Sequence, residues 1–165
     1  MRNGTHTVPV SELGGAPESL KDQADDLHEE ARMILPGLQA SCGFQLIAVF
    51  NQRFSDLTYA AQIAHVAALL LTIVAMGLLV TPAAVHRLSE PAVVSHRFVT
   101  LSSRLIAAAL LPLALGIAID AWVVTSLVFE PPLEWMPWAI GVAVFAALIT
   151  LWLVFPYARG RRSRG

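Results

Sequence analysis

Four apolar runs fill most of the chain between residues 33 and 156, at about 33–50, 58–81, 103–128 and 135–156. Each is close to the roughly 20 residues that a helix needs to cross a bilayer. Charge is pushed to the ends: acids crowd residues 12–30 and arginines crowd 159–164. With 56% hydrophobic and 14% charged residues, the chain is too apolar for an ordinary soluble domain. The expected fold is therefore all-α, a polytopic transmembrane bundle of four helices preceded by a short amphipathic N-terminal helix. The first run is the weakest of the four, because MILPGLQASCGFQLIAVF carries Pro36, Gln39 and Gln45. The formal net charge of -1 says little about partners, and nothing in the charge distribution points to nucleic acid.

The flanking segments divide simply. Residues 1–16 are rich in Gly, Pro, Ser and Thr, lack the basic start and apolar core of a signal peptide, and are expected to be disordered. In 17–32 the apolar positions Leu20, Ala24, Leu27 and Ala31 continue to Ile34 at spacings of 4, 3, 4 and 3, which marks an amphipathic helix. Ser19 with Asp22 three residues on reads as its capping box. Its acidity suits packing on protein better than on anionic headgroups. Residues 157–165 form a basic tail, and Cys42 is a lone cysteine that reads as a small buried hydrophobe.

Orientation follows from where Lys and Arg fall beside the spans. The first connection has Arg53 alone, and the third has none but carries Glu130 and Glu134. Arg87, Arg97 and Arg104 surround the second connection, the tail reads RGRRSRG, and Lys21 and Arg32 precede the first span. The expectation is a multi-pass protein of the cell's inner or plasma membrane with both termini cytoplasmic. Trp135 and Trp138 at one end of the fourth span, with Trp152 and Tyr157 at the other, fit interfacial aromatic belts.

Three stretches carry a resemblance: ARMILPGLQASCGFQLIAVFNQRFSDL, LLVTPAAVHRL and SHRFVTLSSRLIAAALLPLALGIAIDAWVV. Over about residues 29–128 the chain resembles a family of small bacterial integral membrane proteins known only as a domain of unknown function. The shared features are a Gln-containing first span ending in a QRF-like turn, a TPAAVHR-like exit from the second and an Arg-led third. Some members carry an automatic sodium:proton antiporter label, which raises the expectation of transport slightly and implies no particular residues.

Chemistry is sought where ionisable groups enter apolar runs, since such groups are costly there and face the bundle interior. Two do so, Asp120 and His65. At 1.5 Å per residue both lie roughly 10 to 12 Å below the outer boundary, with Gln45 roughly 7 Å down. Thr58, Gln62, His65 and Thr72 form one stripe; Ala109, Gly116 and Asp120 another; Ser41, Gln45, Ala48 and Gln52 a third; and Ala139, Ala143, Ala146 and Thr150 a fourth. Assembled facing inward, these stripes bring Asp120 to His65, Gln45 or both, with Gln62 beside them. Such a cluster is either a proton or monovalent-cation site or a contact that fixes helix register.

Other features carry less. Pro112 reads as a mid-span kink and Pro82 as a helix end. His86, Arg87, His96, Arg97 and Arg104 are candidate contacts for anionic lipid or solvated topological anchors. No metal site is expected, since the histidines lack i, i+4 pairing and no cysteine accompanies them. No nucleophile triad or nucleotide-binding motif is present, so neither catalytic residues nor a cofactor are expected. Two readings stay open. One is a small, self-associating bundle that passes protons or monovalent cations around Asp120, His65, Gln45 and Gln62. The other is a non-transporting scaffold or accessory subunit that binds a partner through its acidic N-terminal helix. In both, the small residues Ala139, Ala143 and Ala146 are the expected homo-oligomer contact.

Overall fold

A computed structural model describes residues 19–89, 95–129 and 132–162, and those residues are overwhelmingly helical. In chain order they form α1 (Leu20–Ala48), a 3₁₀ turn (Gln52–Asp56), α2 (Tyr59–Ser89), α3 (His96–Ser126) and α4 (Met136–Ile149). A π-helical turn (Thr150–Val154) and a short α5 (Phe155–Arg162) follow. The expected disordered residues 1–16, Glu130 and the last three residues of the basic tail lie outside the described residues.

The amphipathic segment and the first apolar run are one helix of 29 residues. Its start is the expected capping box, in which the Ser19 hydroxyl accepts from the Asp22 N–H at 3.2 Å and the Asp22 carboxylate accepts from the Ser19 N–H at 3.3 Å. Pro36 lies inside it on an exposed face, where the backbone bond it removes does not disturb the packed side. Among the described residues, three helices are long and apolar enough to cross a membrane: Tyr59–Leu88, His96–Ser126 and Met136–Arg159. The acids, Arg32 and the glutamines of α1 keep it outside that set.

Packing is organised around α3. Ala24 of α1 lies with Phe98 and Val99 near the start of α3, against Leu27 and Val85. Further along, Leu38 of α1 joins Ala75 and Leu79 of α2 and Ile106, Ala109 and Leu113 of α3. Hence α1 runs beside α2 and α3 for most of their length, parallel to α3. The outward faces are apolar, with Phe44 73% and Phe50 87% exposed. A chain that hides Gln45 and displays Phe44 is arranged for a nonaqueous surround.

Two sequence expectations are corrected. Pro82 does not end α2, which continues to Ser89; the proline is buried, and a proline packed among neighbouring helices is tolerated inside a helix. The stripe Ala139, Ala143, Ala146 and Thr150 does not enter the core either, and all four are exposed. The packing face of α4 is set instead by Gly141, where a Cβ would stand 3.1 Å from the Trp122 Cβ and 3.2 Å from the Ala118 carbonyl. Closest approach needs the residue without a side chain, so the alanines are turned away.

Gly116 plays the same part between α3 and α2: a Cβ there would meet the Ala68 carbonyl at 3.1 Å and the Thr72 hydroxyl at 3.3 Å. Gly77 has nothing within 4 Å of the same position. Gly116→Val should therefore lower the midpoint of thermal unfolding in detergent, at a cost of about 1–3 kcal/mol, while Gly77→Val should leave it within error. Equal effects of the two would contradict the close α2–α3 approach.

Candidate functional site

Where α1 ends, α2 begins and α3 ends, one histidine is held by two helices at once. His65 is 5% exposed. Its Nδ1 lies 3.0 Å from Oδ1 of Asp120, and its Nε2 lies 2.9 Å from the backbone carbonyl of Gln45. The side-chain amide of Gln45 donates to Oδ2 of Asp120. Three helices are thus closed into a ring of contacts, each by a different group. The carbonyl is available because it belongs to the last turn of α1, whose final acceptors have no partner within the helix. The N–H of Val49 bonds back to the Ile47 carbonyl, leaving the Gln45 carbonyl to His65.

The pattern counts protons. A carbonyl only accepts, so Nε2 must carry a hydrogen. Nδ1 and Oδ1 then need one more between them, on the ring facing a carboxylate or on the carboxyl facing a neutral ring. Either way the contact holds a single proton, and its loss would set a carboxylate against a nitrogen lone pair.

The layers on both sides are mainly apolar. Phe54, from the 3₁₀ turn, meets the His65 ring edge-to-face with centroids 5.5 Å apart, and Leu57, Ala61 and Val123 pack beside it. On the opposite side the close contact at Gly116 presses α3 against Ala68 and Thr72. Thr72 returns its hydroxyl to the Ala68 carbonyl at 3.0 Å. Beyond it lies the cluster of Leu38, Ala75, Leu79, Ile106 and Leu113. Asp120 keeps 21% of its side-chain exposure; His65 is sealed.

Not every candidate joins. Gln62 lies one turn from His65 on the expected stripe, but its amide donates to the carbonyls of Phe54 at 3.2 Å and Leu57 at 3.3 Å. It holds the loop that carries Phe54, because a loop entering a helix leaves carbonyls that need donors. Of the basic candidates, Arg87, His96, Arg97 and Arg104 are exposed, and the last three line a shallow groove along α3 with Thr100 and Leu101. His86 turns inward instead, with its ring 5.9 Å from that of His28 and 5.3 Å from that of Phe98. Sequence reading missed Phe54 and the Gln45 carbonyl. The QRF turn carried a weak signal for the first, and a backbone acceptor has none.

Geometry and composition define a helical bundle with three helices able to cross a membrane and one internal polar layer. The chain belongs to the family described as "Family of unknown function (DUF6328)", which it matches over residues 16–156. Neither a curated protein nor a solved structure matches it.

The proton count makes a specific forecast. In Asp120→Asn the new amide can donate to a neutral His65 Nδ1, so stability in detergent should stay within about 1 kcal/mol of the parent. Asp120→Leu leaves Nδ1 and the Gln45 amide unpaired and should cost about 1–3 kcal/mol more than the Asn change. A leucine variant as stable as the asparagine variant would show that these contacts contribute nothing.

Proposed function

We propose that this chain is an integral membrane scaffold or accessory subunit with four crossings, and that Gln45, His65 and Asp120 lock its helices together rather than carry ions. The observation behind this reading is the sealed layer: both ring nitrogens are engaged internally, Phe54 covers the ring on one side, and α2 and α3 touch at Gly116 on the other. A conducting path needs water or a chain of polar groups at that point. Proton or monovalent-cation passage through Asp120 is the competing reading, favoured by the carboxylate's remaining 21% exposure.

The fourth crossing is α1. Its composition is marginal, yet it lies beside helices that are long enough to span, and it exposes Met33, Phe44 and Ile47 while burying Gln45 and Leu38. The arginine asymmetry supports cytoplasmic termini in a cell's inner or plasma membrane. Asp25, Asp26, Glu29 and Glu30 are exposed on the first turns of α1 and offer a partner an acidic face. His96, Arg97 and Arg104 suit lipid phosphate on the same side. The exposed Ala139, Ala143 and Ala146 suit a second copy.

Liposomes with an internal pH dye test the central choice. Purified protein under an imposed proton, sodium or potassium gradient should give no flux above empty liposomes. A flux that is present in the parent and lost in both Asp120→Asn and His65→Ala would overturn the scaffold reading. Topology is checked separately by cysteine labelling of intact cells in a Cys42→Ala background: Pro131→Cys should react from outside and Ser163→Cys should not. The reverse pattern would invert the assigned orientation.

A further inference from the structure

A large cavity lies between α2, α3 and α4. It is an apolar groove of about 500 Å³ whose walls include Ala60, Ala64, Ala118, Trp122, Trp138 and Phe145. A second cavity, about 220 Å³, opens beside its end and shares Trp122 and Trp138 as a wall. That neighbour is of mixed lining and carries acids: Asp56 and Glu134 line it with Thr58 and Ser126. Among the described residues, no Lys, Arg or His lines either cavity.

We infer that the groove and its acidic mouth together form a binding site for a small lipophilic cation, with the apolar body in the groove and the positive centre between the tryptophans and the two carboxylates. Charge and shape argue for this occupant. The groove extends from Trp122 to Leu115 on α3 and from Trp138 to Phe145 on α4, seven residues on each helix or about 10 Å. That length suits a compact aromatic or short-alkyl body.

The two indoles pack on each other with centroids 4.6 Å apart at a 43° tilt and line both cavities, so an aromatic surface of the kind that attracts cations stands where the apolar wall ends. Asp56 and Glu134 are both exposed, so neither carries the desolvation cost of a buried carboxylate before the ligand arrives. A neutral lipid tail would use the groove but gain nothing from the acids. A small inorganic cation would use the acids but gain nothing from the groove. Only an amphipathic cation uses both.

Tetraphenylphosphonium is a suitable probe, because tetraphenylborate has nearly the same shape and the opposite charge. Equilibrium binding is measured on full-length protein in zwitterionic nanodiscs, with binding to empty discs subtracted. The parent should bind tetraphenylphosphonium saturably and tetraphenylborate at least tenfold more weakly. The Asp56→Asn, Glu134→Gln double variant should lose tenfold or more in affinity for the cation and discriminate less between the two probes. Ala64→Phe, which places a ring in the groove, should also abolish saturable binding; the surface charge variants keep the test decisive if that variant does not fold. Equal binding of both probes by the parent would reduce the groove to an apolar crevice and overturn the inference. So would an unchanged double variant, or a parent with no saturable cation binding.

Discussion

A histidine surrounded by aliphatic groups must satisfy two ring nitrogens without water, and in this bundle each nitrogen finds its partner on a different helix. His65 of α2 reaches the Gln45 carbonyl on α1 and the Asp120 carboxylate on α3, and the Gln45 amide joins the other two partners. Each interhelical contact in such a medium contributes only about 1 kcal/mol. Their specificity matters more than their sum: any sliding of α1 by one residue would move both Gln45 groups away at once. The last turn of α1, where the Gln45 carbonyl takes His65 as its partner, becomes the means by which the first helix is registered against the other two.

The rest of the molecule is arranged around that layer. Close α2–α3 approach at Gly116 is needed for the carboxylate to reach the imidazole, and the glycine permits it. The 3₁₀ turn, held down by Gln62, places Phe54 over the ring. At the far end of α1 the contacts are of another kind: the rings of His28, His86 and Phe98 lie together, His28 and Phe98 stacked at 6.3 Å. Between the two ends the interior is mostly aliphatic, with the buried hydroxyls of Thr72 and Ser102 among the apolar side chains. Polar contacts at one end of α1 and aromatic contacts at the other fix the helix against its neighbours.

Much of this was legible in the sequence, because depth and helical phase are simple arithmetic. Run lengths gave the helices, and counting residues from their ends put His65, Asp120 and Gln45 at one level. Phase alone misled for Gln62, which shares the His65 stripe but serves the preceding loop, since a stripe cannot say whether a long side chain reaches sideways or back. For α4 the alanines looked like a core face, whereas the single Gly141 decides the packing; one missing Cβ outweighs a row of small ones when backbones must touch. Pro82 read as a stop because isolated helices break at proline, and burial among neighbouring helices removes that rule. The lower apolarity of α1 was visible from its glutamines, and their purpose was not: one of them is spent on Asp120.

The claim on which the account turns is that His65 and Asp120 stabilise the bundle through each other. A double-mutant cycle measures this directly, from the unfolding free energies of the parent, His65→Phe, Asp120→Leu and the double variant in one detergent. Coupling of about 0.5–3 kcal/mol is predicted, as found for residues in direct contact within one network. Additive effects of the two substitutions, with no coupling beyond error, would contradict it.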